Sequence, residues 1–195
     1  MLSNPSFAYA AAPVGLGAAG TYSVLAGTMV TSTGATSVSG DLGVSPGTAV
    51  VGFPPGIVTG AVRTGSDAAQ AQADLLAAYD DAAARTPTAS FAGDNNGRTY
   101  APGIHHTAAA FALTGTMTLD GQGDPNAVFI FQVDAALNTA AASQISLING
   151  AQASHIFWQV LGAAGTGASS SFSGTIMAAG ADGDGACCHD RARER

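Results

Sequence analysis

The sequence predicts an all-β fold carrying one long helix, with short strands stacked coil upon coil as a β-solenoid. Three observations lead there. Short apolar or Thr-rich runs recur between Gly and Pro breakers over most of the 195 residues, the punctuation of a fold with many corners. Only one stretch, near residues 66–85, spaces its apolar residues at helical intervals. The run Phe131-Gln132-Val133 returns as Trp158-Gln159-Val160, and Phe172-Ser173-Gly174-Thr175-Ile176-Met177 reads as a third, shorter copy. One strong strand and two weaker Thr/Ser/Ala strands in each repeat are the pattern of a solenoid whose neighbouring coils pair at about 4.7–4.9 Å.

The elements follow in order. Residues 1–14 read as a signal-peptide remnant or a flexible start. Ala8-Tyr9-Ala10 resembles a small-residue cleavage site, although no basic or long apolar segment precedes it. The solenoid domain is expected over 15–179. Its first strands are Val24–Ala26, Met29–Thr31, Thr36–Val38, Val50–Val51 and Ile57–Thr59, broken by Gly34, Gly40, Gly43, Pro46-Gly47 and Pro54-Pro55-Gly56. Ser66 or Asp67 caps a helix that runs to about Arg85 and is stopped by Pro87. Ala68, Ala71, Leu75, Ala78, Tyr79 and Ala82 share one face of it. A face so rich in Ala lies close against something flat.

From Phe91 the β pattern returns. Thr114, Thr116 and Thr118 alternate with Gly115, Met117 and Leu119, while Val128–Val133 and Ile156–Val160 are near-continuous apolar runs. At Gly180 the composition changes abruptly. Residues 180–195 hold half of the six cations, both Cys and the sole Glu, Glu194. They are expected to be a disordered tail, left by a frameshift or truncation, with the last coil incomplete.

Composition narrows the function. Ala, Gly, Thr and Ser make up just over half of the chain, charged residues only 10%, Lys is absent and the net charge is −7. An acidic chain without Lys lacks the cationic footprint that phosphate backbones require, which argues against nucleic acid as a partner. No apolar run approaches the roughly 20 residues of a membrane-spanning helix. High apolar content with low charge is also the wrong signature for disorder.

No catalytic constellation stands out, and the reading is of a non-enzyme without a cofactor. Asp41, Asp94, Asp120 and Asp124 lie beside Gly, Pro or Asn in turn-like contexts, not in a pattern that faces two carboxylates across a cleft. His105 and His106 are adjacent, so on a strand they point to opposite faces and do not chelate one ion. His155 reads as a corner residue. The Cys187-Cys188-His189-Asp190 run supplies too few well-spaced ligands for a metal site. What remains is a surface signal. Thr33-Gly34-Ala35-Thr36 and Thr166-Gly167-Ala168-Ser169 share a T-G-A-[T/S] pattern, with Thr139 plus Ser143 and Thr114 plus Thr116 as looser relatives. Small hydroxyl residues recurring once per coil would stack into a flat array of methyls and hydroxyls.

Four stretches carry a family resemblance: Gly40–Gly56 (GDLGVSPGTAVVGFPPG), Ala71–Pro87 (AQADLLAAYDDAAARTP), Gly123–Val133 (GDPNAVFIFQV) and Asn149–Val160 (NGAQASHIFWQV). With them the chain resembles the microbial ice-binding family of the DUF3494 type, from about Leu16 to Ala178. The resemblance implies a discontinuous right-handed β-solenoid of triangular cross-section with the helix packed alongside. It implies a secreted or cell-surface protein, acting as a monomer, whose partner is the surface of an ice crystal. A flat Thr/Ser/Ala-rich face would do the binding. The candidate contacts are Thr33, Thr36, Thr114, Thr116, Thr139, Ser143, Thr166 and Ser169. A rigid face with little charge orders water between methyls and anchors it through hydroxyls, many weak contacts acting together. The alternative is an extracellular adhesion or matrix module that binds glycans or proteins, which predicts aromatic side chains exposed on one face.

Overall fold

The computed structural model describes residues 11–32, 36–179 and the backbone of 186–190. The expected cleavage site and Thr33-Gly34-Ala35 lie outside the described residues. Strands β1 (Tyr22–Ala26), β2 (Met29–Thr31), β3 (Ser37–Val38), β4 (Asp41–Val44), β5 (Ala49–Val51), β6 (Ile57–Val58) and β7 (Val62–Thr64) come first. Helix α1 (Ala69–Ala84) follows. Then come β8 (Ala89–Ser90), β9 (Thr99–Tyr100), β10 (Gly103–Thr107), β11 (Phe111–Leu113), β12 (Thr116–Asp120) and β13 (Phe129–Val133). The last strands are β14 (Leu137–Thr139), β15 (Gln144–Ile148), β16 (Ile156–Val160), β17 (Ala164–Gly165), β18 (Gly174–Ala178) and β19 (Ala186–Asp190).

These strands form three columns. The first is a nine-stranded sheet in the order β7-β4-β1-β19-β18-β16-β13-β10-β8. The second comprises β2-β5 and β11-β14-β17, and the third β3-β6 and β15-β12-β9. Every pairing between strands is parallel except the two made by β19. The chain therefore winds through columns one, two and three in turn, one coil per circuit. The sequence repeat is borne out by register: Phe131 pairs with Trp158, Gln132 with Gln159 and Val133 with Val160. The shorter third copy follows, with Trp158 opposite Ile176 and Gln159 opposite Met177.

The winding is discontinuous. It starts inside the first column at β1 and proceeds outward to β7. Helix α1 then runs back along the outer surface of that sheet, touching β1, β13, β16 and β18. A second stack starts at β8 and winds back to β18. The helix buries Ala71, Leu75, Ala78 and Ala82, as its small-residue face predicts. Alanine lets the helix axis approach the sheet closely, and Ile130, Phe157 and Met177 fill the seam beneath it. The first-column strands β13, β16 and β18 are consequently buried at every position.

Inside the coils the core is largely aromatic. His105 stacks on Phe131 at 5.1 Å, and Phe131 on Trp158 at 4.2 Å and 12°. Phe111 meets the Trp158 ring edge-on at 5.0 Å, and the indole N–H donates to Ser173 O at 3.1 Å.

Three expectations need correction. Neither Ser66 nor Asp67 caps α1 through its side chain; a 3-10 turn at Gly65–Ala68 leads into it instead. Gly43 is not a breaker but lies within β4, because a Cβ there would meet Leu25 Cδ1 and Tyr22 Cε1 at 2.6 Å. The tail from Gly180 is not without structure throughout: Ala186–Asp190 forms β19 between β1 and β18. Each of those strands would otherwise present an unpaired edge, and β19 runs antiparallel to both.

Candidate functional site

Helix α1 covers the outer surface of the first column, which leaves the second and third columns as the broad surfaces open to solvent. Strands β1 and β18 run in the same direction, since each is antiparallel to β19. The helix lies on the same side of both, and both stacks wind toward the β7 end. The second-column strands of the two stacks therefore share one side of the molecule.

That side bears no Asp, Glu, Lys, Arg or His on its strands. Met29 lies opposite Ala49, and Thr31 opposite Val51; all four are exposed, Met29 and Val51 to 55% each. In the second stack Ala112 pairs with Asn138 and Asn138 with Gly165. Their neighbours Phe111, Leu113 and Leu137 point inward and are buried. The third column is richer in hydroxyls, with Thr99, Thr118 and Ser146 in one row. It also carries a charge. Asp120 Oδ1 accepts from Asn149 Nδ2 and from the Gln122 N–H, each at 2.8 Å.

Most of the motif residues lie between the columns, while Thr116 opens β12 and Thr139 ends β14. Thr36, Thr114, Thr166 and Ser169 are exposed and line the corner that joins the second column to the third, and Thr116 is exposed at the first position of β12. Thr36 Oγ1 accepts from Ser32 Oγ at 2.8 Å. Thr114 donates through its N–H and its hydroxyl to the Asp94 carboxylate. That hydroxyl, with the backbone N–H groups around it, holds the Asp94 carboxyl below the usual carboxylate range. The Thr116 N–H donates to Asn96 Oδ1 at 3.0 Å. Thr139 ends β14 and is half-buried, its hydroxyl accepting from the Gly167 N–H at 3.0 Å. Ser169 takes a left-handed backbone, φ 58°. Ser143 is only 2% exposed, so it is an internal residue and not a surface contact. Thr33 lies outside the described residues. Motif spacing thus picks out mainly turn residues and strand ends, where small polar side chains serve the backbone.

His105 and His106 do face opposite ways. His105 Nε2–H donates to Ala101 O at 2.9 Å inside the core, and burial lowers its pKa. His106 Nε2 lies 3.0 Å from Asp134 Oδ2 on the outside. Beside them a cleft of about 430 Å³ opens at the C-terminal end of α1, lined in part by Tyr79, Arg85 and Gln132. Gln132 Nε2 donates to Ala82 O and Arg85 O, both at 2.8 Å, and so caps the helix. No group of three or more His, Cys, Asp or Glu among the described residues could hold a metal ion. No described helix is long and apolar enough to cross a membrane.

Comparison with known proteins adds to this geometry. The family model described as Ice-binding-like matches residues 24–182. An ice-binding protein of Nostoc sp. (strain HG1) is 42% identical over 165 residues, spanning 84% of this chain and 61% of that protein. Ice-binding protein K3-B1 of Typhula ishikariensis is 34% identical over 188 residues, spanning 85% and 76%. Among solved structures, an ice binding protein from an Antarctic biological consortium superposes with a TM-score of 0.84 at 42% identity, covering 86% of this chain and 78% of that one. The chain thus spans about three fifths of the length of the Nostoc relative. With the matching motifs, the three strand columns and the helix laid along the first of them, the chain belongs to the ice-binding-like family.

Proposed function

We propose that this protein binds ice through its second column, with the corner threonines Thr36, Thr114 and Thr166 flanking that surface. The observation that carries the reading is the second column itself: an uncharged surface of small and apolar side chains held in register by parallel ladders. A charge fixed on such a surface would orient nearby water to its own field, whereas methyls and single hydroxyls let water keep a lattice-like arrangement. Ladder spacing of about 4.7–4.9 Å repeats the contacts along the solenoid axis, and their sum gives adhesion that no single contact supplies. The coils are taken to be right-handed and triangular in section. The protein is taken to act outside the cell, as a non-enzymatic monomer without a cofactor. The tail from Gly180 is taken to replace a lost final coil. The adhesion alternative has less support, since no aromatic side chain among the described residues is exposed and glycan sites lean on exposed rings.

The test is recrystallisation inhibition and crystal shaping by the purified chain, with bulky substitutions as probes. Thr31→Tyr and Asn138→Tyr, in the second column, are expected to lower inhibition by at least about tenfold, given that the contacts act jointly. Thr118→Tyr, in the third column, should leave it unchanged. The reverse ranking would move the site to the third column, and an inactive parent protein would overturn the reading.

A further inference from the structure

The three columns are not equally continuous. The first runs unbroken through nine strands, while the described strands of the second and third fall into separate groups. Between β16 and β1 the first column inserts β18 and β19. In the second column nothing among the described strands lies between β17 and β2, which belong to the coils of β16 and β1. Three inter-strand steps, roughly 14–15 Å, therefore separate the patch formed by Ala112, Asn138 and Gly165 from that formed by Met29, Thr31, Ala49 and Val51.

The backbone link across this gap is β19. It pairs on one side with β1, Val24 opposite Cys188 and Leu25 opposite Cys187. On the other side it pairs with β18 over five positions, from Gly174 opposite Asp190 to Ala178 opposite Ala186. Helix α1 also touches β1 and β18, but through apolar side-chain packing, which is non-directional and does not set strand register. Hydrogen-bonded ladders fix both spacing and register.

We infer that β19 is a coupling strand: it sets the distance and orientation between two half-sites so that both engage one ice surface at once. The inference rests on the ice-binding reading of the second column. Two weak patches on a rigid frame gain avidity only when geometry lets both engage. A crystal surface is an unforgiving partner in this respect, because its lattice does not adjust to a misplaced second patch. The shorter ladder, with β1, is the side on which the coupling would give way.

The experiment uses the full chain. Cys187→Pro/Cys188→Pro removes two successive backbone donors, which point to opposite neighbouring strands. Cys187→Val/Cys188→Val keeps the donors and suits a strand. Amide exchange at Leu25 and Met177, the near-ultraviolet signal of Trp158 and the recrystallisation end-point are read together. In the proline variant, exchange at Leu25 is expected to speed up while the Trp158 signal persists. The end-point concentration should rise by at least about tenfold, and adding Thr31→Tyr should raise it no further, since one patch already acts alone. The valine variant should match the parent. Full activity in the proline variant despite open Leu25 amides would overturn the coupling role alone, as would unprotected Leu25 in the parent. An inactive parent would instead overturn the ice-binding reading and this role with it.

Discussion

His105 sits buried among aromatic rings. It stacks on Phe131 and meets Tyr100 edge-on at 5.0 Å, with one polar bond to Ala101 O. Burial favours the neutral ring and lowers its pKa in the folded state. The unfolded chain then takes up the proton more readily as pH falls. The stability contribution is complete above the unfolded value of about 6.5 and is lost progressively below it. Melting temperature should therefore drop between pH 7.5 and pH 5, approximately, and His105→Phe should flatten that limb. A slope unchanged by the substitution would assign it to other groups. The opposite facing of His105 and His106 was legible from adjacency on a strand. The helix-capping role of Gln132 was not, because its partners Ala82 and Arg85 are distant in sequence and nothing local marks a glutamine as a cap.

At the scale of elements, periodicity located α1 and the long strands β13 and β16 because each buries a continuous run. It was weaker for β4. Asp41 and Gly43 look like turn residues, yet Gly43 belongs to a strand because its neighbours β1 and β7 supply pairing that no local signal reports. The absent side chain makes room for Tyr22 and Leu25. Gly43→Ala is accordingly expected to cost about 1–3 kcal/mol through overpacking, read as a lower midpoint in urea with little change in slope. A neutral result would mean that Tyr22 swings aside. Strand β19 was hidden for a related reason. A polar, Cys-bearing tail carries little strand signal of its own, and two open edges recruit it.

For the whole molecule, the separation of charge from the proposed contact surface has a measurable consequence. The chain carries a net −7, but the second-column strands carry none of it. Raising salt from about 0.01 M to about 0.1 M cuts the screening length from about 30 Å to about 10 Å. If charge contributed to adhesion, the freezing hysteresis would follow. It is expected to change by less than about twofold, because the contact contains no fixed charge to screen. A larger change would place a charged group, Asp120 foremost, at the crystal. At this scale composition was the clearest sequence signal, since few charged residues and many small ones already required a flat, tightly stacked body. The position of the proposed surface within that body was not legible. Turn threonines are conspicuous in a linear sequence, whereas a face assembled from single outward residues of separate coils exists only once the coils are stacked.

The interior starting point of the winding also has a kinetic meaning. Strand β1 is synthesised before both stacks are complete, whereas its partner β19 follows them in sequence. Each stack can mature on local, coil-to-coil contacts, but the seam between them joins the first described strand to the last and carries the largest loop-closure cost. The nascent protein thus holds an open strand edge at β1 until β19 has been made. Its self-association during expression should depend more on how soon that seam closes than on the stability of the finished solenoid.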